Sequence, residues 1–342
     1  LARALSRALA SSGPLLLLAL VIGALGPLNT WDLPTYLGLA TVALVWHAAE
    51  EGNGWRGVCE ALAVAALAYV LYLPFYAHYA APSAKLELLA NRTGVRYFLV
   101  VWGLWLAALY GWLWLRWWGG RDGIGRFRTI LAGGPRGRRA QVLLHALAPQ
   151  TLVRMQWRAR GMIVALVLSL VALAAGEGVV ALLLPLIALA ADLWLRPTAR
   201  RADRLAALVA LVGLAILAVT ELAFVADFLR GSEWQRMNTV FKFGIQAWVL
   251  LALAAAAGLP AVLARLRGRA GWGHRLALAG PMIALLAISL AYVPLAVAAR
   301  VSERSPGGPP PVGTLDGLAY MRTAVYNWPD SEHPIEIGRA HV

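Results

Sequence analysis

The chain has one cysteine, Cys59, in 342 residues. That excludes a disulfide within the chain and any metal centre built from cysteines. Its six histidines are scattered, with no spacing that would gather metal ligands. Lysine is nearly absent, at Lys85 and Lys242 only. No stretch alternates apolar and polar residues as a lipid-facing strand must, which excludes a β-barrel. The Gly-x-Gly in "GGRDGIGRFR" has no strand before it and no Gly-Lys-Ser/Thr after it, so it is no phosphate cradle.

What remains is apolar and basic. Hydrophobic residues make up 60% of the chain, the mean hydropathy is +0.66, and the formal charge is +14. Repeated long apolar runs predict membrane-crossing helices, since a backbone in lipid must satisfy its own hydrogen bonds. The expected fold is all-α, a polytopic transmembrane helical bundle of about nine spans at 13–28, 34–49, 57–75, 96–116, 161–176, 179–195, 205–228, 239–263 and 276–299. With the N-terminus inside, 21 basic residues fall on inner segments and 10 on outer ones, so the N-terminus is expected inside and the C-terminus outside. The arginines cluster in short loops between spans rather than on a separate basic domain, which argues against nucleic acid as a partner and for anionic lipid headgroups. Trp102, Trp105, Trp112, Trp114, Trp117 and Trp118 crowd the fourth span and are expected to form an interfacial belt near its inner end.

The bundle is expected over 1–300, followed by a Pro/Gly-rich linker at 301–313 and the start of an outer domain at 314–336. Residues 337–342 read as translated sequencing adapter, and the chain reads as an internal piece of a longer protein with spans upstream. Abundant arginine, alanine and glycine point to a GC-rich, prokaryotic source and hence to the cell (plasma) membrane.

Polar chemistry concentrates in "GSEWQRMNTVFKFGIQAW", residues 231–248. Ser232 and Gln235 have capping-box spacing, which predicts a helix starting near Glu233. On that helix Gln235, Asn238, Lys242 and Gln246 share one face, with Lys242 about 13 Å along it. An ammonium at that depth either snorkels to the surface or holds an anionic group such as a lipid phosphate. Arg236 lies off the stripe, with a planar fork suited to phosphate. A second cluster, "LNTWDLPTYLG", places Asp32 beside Pro34 at a helix start. There Asp32 either caps the first turn or shares a site with Lys242. Glu221 is a third candidate, either functional as an intramembrane carboxylate or a structural ion pair to Arg236 or Lys242. Glu177 reads as part of a tight outer turn, and Asn91-Arg92-Thr93 fits the glycosylation pattern.

Three motifs, "NTWDLPTY" at 29–36, "QRMNTVFKFGIQAW" at 235–248 and "TLDGLAYM" at 314–321, together resemble the YYY membrane proteins, an uncharacterised multispanning family. Gly244 departs from that pattern, in which an aromatic is expected. The family in turn looks distantly similar to multispanning glycosyltransferases that use lipid-linked sugars. The resemblance implies an enzyme using a polyprenyl-phosphate-linked sugar at the outer face. Arg236, Lys242, Asn238 and Gln246 would bind the lipid phosphate and shape its cavity, and Asp32 and Glu221 are the catalytic candidates. No cofactor is identified, and a divalent metal stays open. A transporter or lipid flippase and a non-catalytic scaffold are the other classes that fit.

Overall fold

A computed structural model describes residues 2–80, 85–89, 92–119, 149–267 and 272–304. The expected linker beyond residue 304, the 314–336 segment with its motif, the adapter-like tail, Asn91 and most of the arginine-rich 117–160 loop lie outside them.

The described chain is mostly helical, as its apolar runs dictate. The elements are α1 (Ala2–Asn29), α2 (Asp32–Glu50), α3 (Gly54–Leu71), α4 (Leu73–Tyr76), β1 (Lys85–Leu88), α5 (Val95–Gly119), α6 (Pro149–Ala174), α7 (Gly178–Leu195), α8 (Arg201–Leu222), β2 (Ala223–Ala226), α9 (Met237–Arg267) and α10 (Trp272–Arg304). Among the described residues, six helices are long and apolar enough to cross a membrane. They lie at Gly54–Leu71, Val95–Trp117, Trp157–Ala174, Arg201–Leu222, Met237–Ala264 and Met282–Glu303. Gly13–Asn29 and Gly178–Trp194 are shorter apolar helices, and α2 carries charge at both ends.

Two features depart from the all-α expectation. The span expected at 205–228 stops at Leu222, where Ala223 turns to extended backbone. β2 then pairs antiparallel with β1, with Lys85 opposite Ala226 and Leu88 opposite Ala223. Four-residue strands are too short to show alternation in sequence. Their ladder satisfies backbone groups that the two interrupted helical segments would otherwise leave open.

Residues 1–270 form one compact unit and 271–342 a second, which contributes α10. In the first, α5, α7, α8 and α9 surround a core that includes Leu109, Leu113, Leu183, Leu214 and Leu251, all fully buried. Small residues let these helices approach. A Cβ on Gly213 would come within 2.8 Å of Leu251, and one on Gly258 within 2.4 Å of the Trp112 ring. On the other flank Gly57 of α3 lies against α2, where a Cβ would meet the Val45 backbone at 2.6 Å. The tryptophan belt is therefore corrected in part. Trp102 and Trp112 are buried core residues, because α5 turns that side toward its neighbours, while Trp114 is exposed and stacks on Tyr110 and Trp117.

Ion pairs tie the helix ends together. At one end Glu50 of α2 meets Arg204 of α8, with the Arg204 guanidinium 4.7 Å from the Trp46 ring centroid. Arg116 of α5 meets Asp203 at 2.8 Å. Asp192 of α7 takes Arg158 of α6 at 2.7 Å and also Arg196. Arginines that the sequence offers only as topological charges thus hold five helices together. Asp192 neutralises two guanidinium groups whose side chains are only 11% and 8% exposed. Its loss removes that carboxylate from both, and one-sided removal of a buried ion pair costs about 3–5 kcal/mol. Asp192→Ala is therefore expected to lower thermal stability in detergent far more than a change at the exposed Arg201, as read by thermal unfolding of the purified chain.

Candidate functional site

The polar residues singled out in sequence gather at the opposite end, where α2, α5 and α9 begin and α8 finishes. α9 starts at Met237, not near Glu233. Residues 233–236 are turns instead, because the Ser232 hydroxyl accepts from the Trp234 N–H and the Ser232 carbonyl from Gln235 N–H, closing a local turn rather than a capping box. Lys242 is consequently five residues into α9, about 8 Å from its start rather than 13 Å.

The stripe Asn238–Lys242–Gln246 survives this shift, and its ends are occupied. Asn238 Nδ2 donates to Asp227 Oδ2 at 2.6 Å. Gln246 is 1% exposed, and its Nε2 donates to Asp32 Oδ1 at 2.8 Å and to the Trp31 carbonyl at 3.0 Å. Both partners are acceptors, so the amide group must face them, and Gln246 Oε1 is left buried with no partner among the described residues. Asp32 does not cap its own helix. It sits in the first turn of α2 and spends its bond on α9, 214 residues away. Phe243 packs edge-on against Trp31 at 5.7 Å, which fixes the same α2–α9 contact from the apolar side. Lys242, one turn before Gln246, is half-buried and has no hydrogen-bond or ion-pair partner among the described residues.

Glu221 and Arg236 form a separate pair. Glu221 is 5% exposed. Its Oε1 accepts from Arg236 Nη2 at 2.7 Å and from the Thr93 hydroxyl at 2.8 Å, and its Oε2 from the Thr93 N–H at 3.2 Å. Arg236 Nη2 also donates to the Thr220 carbonyl at 3.1 Å. This carboxylate is thus fully used in the present conformation, and Arg236 is anchored by one nitrogen of its fork. Thr93 is the partner the sequence could not signal, being 128 residues from Glu221 and readable there only as part of a glycosylation pattern. Thr239 is similar. It is buried on α9, and its hydroxyl accepts from the Val225 N–H at 2.9 Å, pinning β2 to α9. Glu177 does follow a tight turn, with Gly176 at φ +82°, and pairs with Arg92. Among the described residues no group of three or more His, Cys, Asp or Glu side chains could hold a metal ion.

Residues 2–251 match one protein family, described as "Uncharacterized membrane protein (DUF2298)". The match takes in both the Asp32 and the Lys242 motifs and agrees with the expectation of an uncharacterised multispanning family. No curated protein and no solved structure matches the chain.

The buried Glu221–Arg236 pair generates a stability prediction. Glu221→Gln leaves Arg236 without its counter-charge, so the single change is expected to destabilise by about 3 kcal/mol. Pairing it with Arg236→Met should recover part of that loss, with a coupling energy of about 1–3 kcal/mol. A double-mutant cycle read by thermal unfolding checks this, and additive losses would show that the two residues do not act as a pair.

Proposed function

The chain belongs to that family of membrane proteins, and for it we propose a glycosyltransferase-like activity that uses a polyprenyl-phosphate-linked sugar at the outer membrane face. One observation carries the reading. Lys242 has no hydrogen-bond or ion-pair partner among the described residues, lies in a helix long and apolar enough to cross a membrane, and stands one turn before Gln246, whose amide donates to the Asp32 carboxylate. Unpaired charge at such depth is expensive in a stable fold, and an anionic ligand is the economical reason to keep it. Lys242 and the unused donors of Arg236 would hold the lipid phosphate, and Asn238 and Gln246 would shape the cavity.

Glu221 then acts as the anchor that aims Arg236, and Asp32 is the base. The acceptor hydroxyl oxygen attacks the anomeric carbon of the donor, the carbon–oxygen bond to phosphate breaks, and polyprenyl phosphate leaves with the electron pair. The hydroxyl proton passes to Asp32. Cationic stabilisation of the departing phosphate in a partly desolvated site is the main catalytic term. We place all nine helices α1–α3 and α5–α10 across the cell membrane, N-terminus inside and C-terminus outside. α2 and α7, with 19 and 18 residues, reach about 27–29 Å, close to the hydrocarbon thickness of about 30 Å. The arginine bias toward the Glu50 end sets the orientation.

Two measurements test this. In the full chain reconstituted in nanodiscs, Lys242→Met should weaken binding of a polyprenyl phosphate by about ten- to hundredfold, the worth of one charge-assisted hydrogen bond. Asp32→Asn should keep that binding but lower sugar transfer by about 10²–10⁴-fold, as loss of a general base does. Activity unchanged in both variants would sink the assignment, and lipid flux without covalent product would favour a flippase. For orientation, single cysteines in a Cys59→Ser background serve. Glu233→Cys should label in intact cells and Arg200→Cys only after permeabilisation, and the reverse pattern would invert the topology.

A further inference from the structure

A cleft of about 470 Å³ lies between α5, α8 and α9. Tyr97, Phe98 and Trp102 line it from α5, and Phe241, Gly244 and Trp248 from α9. Gly244 keeps it open. A Cβ there would stop 3.9 Å from the Trp102 ring, so a methyl fits in ordinary contact and a large side chain would fill the space. The aromatic wall is braced, because Trp102 packs on Phe98 at 6.3 Å and on Trp248 at 5.5 Å, and Trp248 packs on Trp105 at 5.5 Å. Tyr97, Phe241 and Ile245 are each at least half exposed at the mouth. All three helices are long and apolar enough to cross a membrane, so this mouth opens to hydrocarbon rather than to water.

One end of the cleft is different. It is lined by Thr93, Thr220 and Glu221, the residues that receive Arg236. Both protein bonds of Arg236 leave from Nη2, so its Nε and Nη1 donors have no partner among the described residues. Arg236 does not itself line the cleft, but its Nη2 is bonded to Thr220 and Glu221, which do, so the guanidinium is fixed next to the polar end of an aromatic-walled, lipid-facing trough with its other donors unused. A ligand that satisfies both ends has an anionic head and an apolar tail.

We propose that this cleft is the binding groove for a single isoprenoid chain, the tail of the phosphate-linked lipid assigned above, with the phosphate at Arg236. The identity of that lipid rests on the proposed function, while the groove rests on the geometry just given. A single trough between three helices takes one chain. Flat unsaturated units lie against aromatic faces as stacked rings do, and Gly244 sets the clearance for them. An ordinary two-chain phospholipid would leave one chain outside and gain nothing from the ring wall beyond non-specific contact.

Photocrosslinking of the full chain in nanodiscs tests this with three diazirine-tagged probes: an isoprenyl phosphate, the matching isoprenol, and a phosphatidylglycerol tagged on one acyl chain. The isoprenyl phosphate is expected to label peptides covering 97–102 and 240–249, in competition with untagged isoprenyl phosphate. Gly244→Trp should cut that labelling at least about tenfold, since tenfold needs only about 56 Å² of lost apolar contact at about 25 cal/mol/Å². Gly244→Ala should keep it, which separates a filled groove from a misfolded chain. If Gly244→Trp does not fold, Val101→Trp on the facing helix serves in its place. Equal labelling by isoprenol, insensitive to the Glu221→Gln/Arg236→Met double change, would support the groove while overturning the phosphate assignment. Labelling of these peptides by phosphatidylglycerol without competition from isoprenyl phosphate would overturn the isoprenoid occupant, and absence of labelling there would overturn the groove.

Discussion

Charge inside a low-dielectric bundle has to be matched, and nearly everything at the two ends of this molecule follows from that constraint. At the Glu50 end, guanidinium groups outnumber carboxylates. The fold responds by sharing, with Asp192 between Arg158 and Arg196, and Glu50 between Arg201 and Arg204. Backbone carbonyls take up further donors, as when Arg204 Nε donates to Trp194 O at 2.7 Å and Arg158 Nη2 to Trp117 O at 3.0 Å. At the other end three arginines are matched one to one. Arg92, Arg230 and Arg236 each have a carboxylate. Among the described residues at that end Lys85, Arg96 and Lys242 have no carboxylate, and Lys242 differs from the other two in being half-buried rather than exposed.

The two ends also differ in what their pairs accomplish. Those at the Glu50 end join helices to helices and act as fasteners. Those around Glu221 at the Asp32 end join a helix to the connections between helices, since Thr93 precedes α5 and Arg236 precedes α9, while Asp32 joins α2 to α9 through Gln246. Connections carry function because they can hold side chains at geometries a continuous helix cannot. Here β1, β2 and the turn at 227–236 are stiffened by Thr239, Arg230 and Glu221. Irregular backbone at this level is thus given partners from within the protein.

Much of this was legible in sequence, and the failures are specific. Apolar runs locate each long helix among the described residues, because hydropathy and length are local properties. The stripe through Asn238, Lys242 and Gln246 and its kinship with Asp32 could also be read, because helical periodicity puts the first three on one face and a shared end of the bundle suggests the fourth. The helix start at Met237 was missed. A serine three residues ahead of a glutamine has the capping-box spacing, yet the Ser232 oxygens instead accept from the N–H groups of Trp234 and Gln235. Thr93, Thr239 and Asp192 were invisible as partners, since what they do depends on residues brought near only by tertiary packing. The tryptophans of α5 were misassigned in part for the same reason. Indole composition suggests an interface, whereas which side of α5 faces α7 and α9 decides burial.

The short ladder between β1 and β2 has a consequence for biogenesis. Roughly 135 residues separate Leu88 from its partner Ala223. At a synthesis rate of about 5–20 residues per second, the first strand waits about 7–27 s on the ribosome's clock before the second exists. During that interval the four described helices α5 to α8 must be made while an open strand edge is carried beside them. An edge in that state invites mispairing. The strand that waits is only four residues long and carries Lys85 and Glu87, charges of the kind that discourage a wrong partner until the right one arrives.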